Sequence, residues 1–251
     1  MFHVKHDCTE APTAHAVEVA LSGAGIRVDS GAIDLLVQHA RAVFETNASF
    51  NLTRITTTDE FIRLHIVDSL LPWTLLPFAA PAVDLGSGAG FPGIPTSIVH
   101  GGPLWLCESV GKKARFLESC VEDLGLQCKV FCGRAEELAL REPQRSNLVV
   151  ARAVSSLAAL VELAAPLLTT GGHLVALKGD PQPEELAAGE RAAAVCGMQR
   201  LEVRAYTLPR GGERRALVVY ERVREPSVRL PRRPGLAQHS PLHSTATQGF
   251  R

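Results

Sequence analysis

The 251-residue chain has little that would tie it to a metal, a membrane or an oxidising compartment. Its six cysteines (Cys8, Cys107, Cys120, Cys128, Cys132 and Cys196) form no Cys-x-x-Cys pair and no Cys/His cluster at zinc-finger spacing. That argues against structural metal and against a disulfide framework, and the thiols read as small buried hydrophobes. The long run from Phe78 to Leu106 is interrupted by glycines and prolines, so it is no bilayer helix. The N-terminus carries His3, Lys5, His6 and Asp7 with no apolar run behind them, so no signal peptide is expected and the cytoplasm is the default compartment. Aromatic residues make up only 5%, which leaves few side chains for stacking on a base.

What is present is an ordinary globular composition, 46% hydrophobic, with a net charge of zero. The zero conceals an asymmetry: from Arg200 onward there are 11 Lys/Arg against 4 Asp/Glu. That basic end is either a polyanion contact or a solubilising tail.

Residues 12 to 77 read as helical, with Ile33, Leu36, Val37, Ala40 and Phe44 at helical spacing. From Pro81 the rhythm changes. Short apolar runs at Ala82–Leu85, Leu104–Cys107, Cys128–Phe131, Leu148–Ala151 and Leu174–Leu177 alternate with helical stretches at Ile94–His100, Lys112–Leu124, Ser156–Leu168 and Glu184–Ala194. This predicts an α/β fold with a doubly wound, mostly parallel sheet that binds its ligand at the carboxyl ends of the strands. Leu201–Leu208 and Arg215–Val223 are joined by a turn too short for a crossover helix, which predicts a C-terminal antiparallel hairpin. The expected divisions are a helical N-terminal appendage (1–79), a cofactor domain (80–225) and a basic, Pro-rich, extended or flexible tail (226–251).

The most informative segment runs from Ala82 to Gly93, a strand bearing Asp84 that enters Gly86, Gly88 and Gly90. Glycines suit a sharp turn that presents bare N–H groups to a ligand. Gly86-x-Gly88-x-Gly90 after Asp84 is the spacing of S-adenosylmethionine methyltransferases, whereas Gly88-x-Gly90-x-x-Gly93 formally matches the dinucleotide fingerprint. Glu108, at the end of the second strand, suits either cofactor because a carboxylate there accepts from both ribose hydroxyls. The placement of Asp84, the closing hairpin and the lack of a second substrate domain favour the methyltransferase over an NAD-dependent oxidoreductase. A non-catalytic RNA-binding or ribosome-assembly factor on the same fold is the other alternative.

No cysteine follows a proline, and Val150-Ala151-Arg152-Ala153-Val154 stands where enzymes that methylate exocyclic amines carry an Asp/Asn-Pro-Pro-aromatic loop. Cytosine C5 and exocyclic amine chemistry are therefore both disfavoured. A ring nitrogen with a free lone pair, such as guanine N7, needs no general base, and the motif content permits it.

Several motifs occur in order: Asn51-Leu52-Thr53, His65 to Leu70, Asp84 to Pro95, Ser109-x-x-Lys112-Lys113-x-x-Phe116-Leu117, Ala151 to Val154 and Ala176 to Gly179. Together they resemble the glucose-inhibited division protein B family over roughly residues 40 to 223. The resemblance implies a class I (Rossmann-like) methyltransferase fold. It also implies S-adenosylmethionine-dependent methylation of guanine N7 at position 527, in the 530 loop of 16S rRNA. The 30S subunit or its rRNA would be the partner, and the enzyme is expected to be a monomer with no metal. By motif position Gly86, Phe91, Ala135, Glu136 and Arg152 would contact the cofactor beside Asp84, Gly88 and Gly90. Glu108 would stand at the ribose, where the family usually has Asp. Arg152 would position the reacting groups. His65 and Asp68, three apart on one helical face, are further candidates for the active-site wall. Lys178, Arg210, Arg214, Arg215, Arg232 and Arg233 are candidate phosphate contacts.

Overall fold

The structure is a computed structural model, and it describes residues 10–242. Cys8, the residues His3 to Asp7 and the last part of the tail lie outside the described residues. Two helices open the described chain, α1 (Ala14–Gly23) and α2 (Ser30–Asn47). Each begins on a side chain that accepts a first-turn amide: Thr13 from Ala16 and Asp29 from Ala32. A nearly continuous helical rod follows as α3 (Thr58–Phe61), a π-helical segment (Ile62–Val67) and α4 (Asp68–Leu70). Pro72 is the first residue of a separate turn, α5 (Pro72–Leu75), where its missing N–H is harmless.

The alternating region then runs β1 (Ala82–Leu85), α6 (Gly93–His100), β2 (Leu104–Glu108), α7 (Gly111–Asp123), β3 (Cys128–Cys132), α8 (Ala135–Arg141), β4 (Ser146–Arg152), α9 (Leu157–Ala164), β5 (Leu168–Lys178) and α10 (Pro183–Cys196). It ends in β6 (Met198–Thr207), β7 (Arg214–Arg222) and the short α11 (Leu236–His239). The seven strands are ordered β3-β2-β1-β4-β5-β7-β6. The first five are parallel to one another, and β7 lies antiparallel between β5 and β6.

Because side chains alternate along a strand, each strand feeds two apolar layers. Ala82, Leu104, Leu106, Leu148, Val150, Leu217 and Val219 face one way and share a core with α1, α2, the π-helical segment, α6 and α7. Val83, Leu85, Cys107, Val149, Ala151, Val218 and Tyr220 face the other way, against α8, α9, α10 and α11. The helices of the N-terminal segment thus share one of the two covering layers with α6 and α7.

Two expectations differ from what is observed. The apolar stretch Ser156–Leu168 does not stay helical: α9 stops at Ala164, and after Pro166 the chain enters β5. Residues 226–242, read as extended or flexible, are instead packed on α8 and α9, with Ala237 buried in the second layer. Of the described cysteines, Cys107, Cys120 and Cys196 are buried, Cys128 is partly so and Cys132 is exposed. Burial pushes the first three thiols up to about 12.

Candidate active site

The carboxyl ends of β1, β2 and β4 converge on the glycine loop. Gly86, Gly88 and Gly90 all have positive φ (72°, 58° and 92°), which L side chains adopt only with strain. Gly86 has a second reason to lack a side chain: a Cβ there would stand 2.6 Å from Val154 Cγ2. At Gly88 a Cβ would meet nothing closer than 3.8 Å, so the space above that residue is open. Gly86 and Gly88 face outward, whereas Gly90 turns inward against Ile94 and His39.

Asp84 lies beneath the loop, because strand alternation points it into the layer covered by α6. Its Oδ2 accepts the Gly93 N–H at 3.0 Å, while buried Oδ1 has no protein partner. Burial raises its pKa from 3.8 to about 7, opposed by the bond from the Gly93 N–H. Gly93 must be glycine, since a Cβ would stand 2.6 Å from Asp84 Oδ2 and against Leu106. Asp84 thus supports the cofactor loop from below and does not form its surface.

Glu108 folds back under the loop, its Oε2 accepting from Gly88 N–H at 2.9 Å and its Oε1 from Val110 N–H at 2.8 Å. The longer side chain is accommodated in this way, and each oxygen keeps further acceptor capacity. The next strand end is joined to it, as Gly133 N–H donates to Glu108 O at 3.0 Å. Ala135 is half-buried there, and Glu136 is buried with its carboxylate held by the Gly235 N–H at 2.7 Å. The side chain of Glu136 is therefore engaged inside the protein.

A second set of groups gathers around Arg152. Its Nη1 donates to Leu64 O at 2.8 Å and to Asp68 Oδ2 at 3.3 Å, and its Nη2 donates to His65 Nδ1 at 3.0 Å. Since arginine can only donate, His65 carries its proton on Nε2 and gives that bond to Thr53 Oγ1 at 2.8 Å. Both ring nitrogens are thus engaged, and burial, with Arg152 adjacent, lowers the His65 pKa to about 2. The π winding occurs at the residues that supply Leu64 O and the His65 ring. Asp68 also accepts from Arg215 Nε at 3.1 Å, with the Tyr206 hydroxyl 3.5 Å away. Ala153, directly after Arg152, has φ 55°, a strained turn at the rim.

Phe91 is buried at the centre of an aromatic cluster. His65 stacks on it with centroids 4.4 Å apart, Phe61 meets it edge-on, and the Arg152 guanidinium lies over it at 5.6 Å. It therefore floors the site beneath His65 and Arg152.

Above Arg152 opens a cavity of about 320 Å³, lined among others by Leu64, Asp68, Ala153, Lys178, Gly179 and Arg215. Lys178 reaches Ser155 O at 3.0 Å and Glu185 at 2.7 Å. The pairing of Lys178 with Ala216 across β5 and β7 puts the start of β7 at this same edge of the sheet. Arg214, 72% exposed and 3.6 Å from Asp180, is thereby brought to it, whereas exposed Arg210 lines a separate cavity with His15 and Arg63. Arg232 is not brought there either: it is bonded to Glu162 on α9, because its guanidinium pairs with a buried carboxylate, and Arg233 is exposed on the same segment. Among the described residues no group of His, Cys, Asp or Glu could hold a metal ion, and no helix is long and apolar enough to cross a membrane.

The family model described as GidB, rRNA small subunit methyltransferase G, matches residues 32–217. The chain belongs to the GidB family. It is 41% identical over 247 residues to the ribosomal RNA small subunit methyltransferase G of Deinococcus deserti, covering 96% of this chain and 98% of that one. The Carboxydothermus hydrogenoformans protein of the same description is 38% identical over 223 residues, covering 87% and 95% of the two chains. Among solved structures, a Pyrococcus horikoshii protein described as a transferase matches with a TM-score of 0.51 at 12% identity, over 66% of this chain and 65% of that one. That likeness concerns the fold alone, which is the α/β class I methyltransferase sheet.

Four residues of the GidB site were not singled out from the sequence. His39 donates from Nε2 to Ala89 O in the glycine loop at 2.9 Å, and burial lowers its pKa to about 4. Its signal was a histidine on the apolar face of α2 beside Leu36 and Val43. Thr53 lay within a quoted motif without a role, and Asn47, which accepts the Leu52 and Thr53 amides at 2.7 and 3.0 Å, gave no signal. Tyr206 gave none either.

Proposed function

We propose that this protein transfers the methyl group of S-adenosyl-L-methionine to N7 of a guanine in the 530 loop of 16S rRNA, at position 527. The observation that carries this reading is that, among the described residues lining the Arg152 cavity, no side chain is a free proton acceptor. His65 is neutral with both nitrogens bonded, and Asp68 is held between two guanidiniums. Asp84 is sealed under Gly93. A site without a general base suits an acceptor that brings its own lone pair, and family membership points to the same chemistry.

The residues present fit the cofactor. The open space over Gly88 accepts a chain that a Cβ would obstruct, and Glu108 retains acceptor capacity for a ribose diol. S-adenosyl-L-methionine supplies an electrophilic methyl group on a sulfonium. Glu108 and the loop from Gly133 to Glu136 hold the adenosine end, and the glycine loop holds the remainder. Arg152 has five N–H groups, three of them engaged within the protein, so Nε–H and one Nη2–H remain for substrate oxygen. Donors of that kind bind guanine O6 and leave the N7 lone pair free. The contribution of the site is alignment and a fixed electrostatic frame. Lys178, Arg214 and Arg215, at the same edge, and exposed Arg210 position RNA phosphates without reading sequence. The substrate is the 30S subunit or its rRNA, and the enzyme works as a monomer in the cytoplasm.

The test is transfer of labelled methyl to 30S subunits from cells lacking the modification, followed by nucleoside mass spectrometry. The expected product is 7-methylguanosine. A methyl group on an exocyclic amine or a ribose would refute the assignment of N7. Cofactor binding without transfer to any rRNA would favour the assembly-factor reading.

A further inference from the structure

Beyond β7 the chain turns back across the molecule and stays attached. Val223 and Arg224 N–H donate to Gly197 O, and Ser227 N–H donates to Val195 O. Arg232 then meets Glu162 fork to fork, with Nε and Nη2 each 2.6 Å from a carboxylate oxygen. The same Nη2 donates to Ser240 O at 2.7 Å, and Leu242 N–H donates to Glu162 Oε2 at 3.0 Å. Between these two anchors Gly235, at φ 85°, gives its N–H to Glu136, and Arg134 Nη1 donates to Gln238 Oε1 at 2.9 Å. Ala237 is buried underneath.

Glu136 is 4% exposed and Glu162 3%. Among the described residues, every side-chain hydrogen bond to either carboxylate comes from residues 232–242. With that strap removed, two buried carboxylates would lose their partners and would have to swing toward water. Glu136 lies in the first turn of α8, directly after the loop that begins at Gly133, so its loss of a partner is felt at that loop. That loop is tied through Gly133 to the strand end holding Glu108.

We propose that the C-terminal strap, latched by Arg232 on Glu162, is a positioning element for the adenosine end of the cofactor site, acting through Gly235 and Glu136. The proposal rests on the assignment of S-adenosyl-L-methionine to this site. Arg232 and Glu162 are bonded to each other and do not line the Arg152 cavity, so the strap governs how tightly cofactor is held and leaves that pocket unaltered.

The experiment is calorimetric titration of S-adenosylhomocysteine into the full chain and into Arg232→Lys and Arg232→Ala, with methyl transfer measured in parallel. Lysine keeps the charge and loses the fork, so that variant folds even where alanine does not. Arg232→Ala is expected to weaken binding about tenfold or more, and Arg232→Lys less. The KM for S-adenosylmethionine should rise in step, with kcat at saturation within about twofold of wild type. Wild-type affinity in a folded Arg232→Lys chain whose Gly235 amide exchanges faster with solvent would overturn the proposal: the latch would be broken and the cofactor site indifferent to it. Equal loss of kcat and kcat/KM at unchanged affinity would also overturn it. Failure of the wild-type chain to bind S-adenosylhomocysteine would instead refute the cofactor assignment.

Discussion

Replacing Asp68 with alanine would remove the one carboxylate between Arg152 and Arg215 and leave two guanidiniums facing each other. The side chains are only 6%, 14% and 22% exposed for Asp68, Arg152 and Arg215, so water can do little to screen them. Removing one partner from a buried pair costs about 3–5 kcal/mol, because the remaining charge is stranded. Arg152 would keep Leu64 O and His65 Nδ1 but lose its opposing charge, and Arg215 would lose its hold on the pocket. The expected outcome in urea unfolding at neutral pH is a loss of about 3 kcal/mol or more, with m unchanged. Asp68→Asn keeps an acceptor oxygen and should lose less, about 1–3 kcal/mol. Methyl transfer by the folded alanine variant should fall about tenfold or more in kcat, since a group that aligns the substrate is no longer held. A loss under about 1 kcal/mol, the size of an exposed ion pair, with transfer within twofold would refute the reasoning. Arg152 would then be held by the backbone and His65 alone.

Asp84 has a folded-state pKa of about 7, above the unfolded value, because it is buried. Between about pH 4 and 7 the folded chain therefore binds the extra proton, and this residue's contribution to stability falls as pH rises. Asp84→Asn should flatten that limb and raise stability above pH 7 by up to about 4 kcal/mol, read from urea midpoints across pH; a less stable variant at pH 8 would contradict it. His39 has the opposite sign, since its lowered value makes the unfolded chain the better proton acceptor below about 6.5. His39→Gln, which can still donate to Ala89 O, should therefore lessen the loss of stability on acidification, visible in thermal melts at pH 5 and 7. Thr53→Val removes the acceptor that fixes the His65 tautomer and should lower kcat, with Thr53→Ser restoring it; equal loss in both variants would show a packing effect only. Gly93→Ala forces a methyl group against Asp84 and Leu106 and should destabilise the fold by about 1–3 kcal/mol in the same unfolding assay.

The sheet was legible because its signal is local: each of the first five strands is an apolar run, and each connection carries a 3.6-residue rhythm. The end of α9 was not, since Leu167 and Leu168 prolong the apolar stretch whether the chain continues as helix or as strand. The glycine loop and Glu108 could be read from spacing, because backbone approach to a ligand demands glycine at fixed positions. What holds Arg152 could not. Its partners lie 84 to 88 residues away, and the His65 proton on Nε2 finds its acceptor in Thr53, a residue with no distinguishing pattern. The strap was misread for a similar reason. Its composition is Pro-rich and poor in apolar residues, and its attachment depends on Glu162 and Glu136, 70 and 99 residues earlier in the chain.

The position of β7 has a consequence for how the molecule is made. During synthesis β5 is complete, and β6 follows it out of the ribosome, well before Arg214 emerges. Yet among the described strands β6 pairs with β7 alone, and the free edge of β5 waits for β7 as well. A nascent chain halted before residue 214 would thus carry an exposed apolar edge at Leu174 to Leu177 and a strand with no neighbour, both open to pairing with other chains. Arg215, which closes the pocket over Asp68, lies on this last strand. A chain halted before residue 214 therefore lacks the guanidinium that pairs with Asp68 at the Arg152 cavity, and the pocket takes shape only as the sheet is completed.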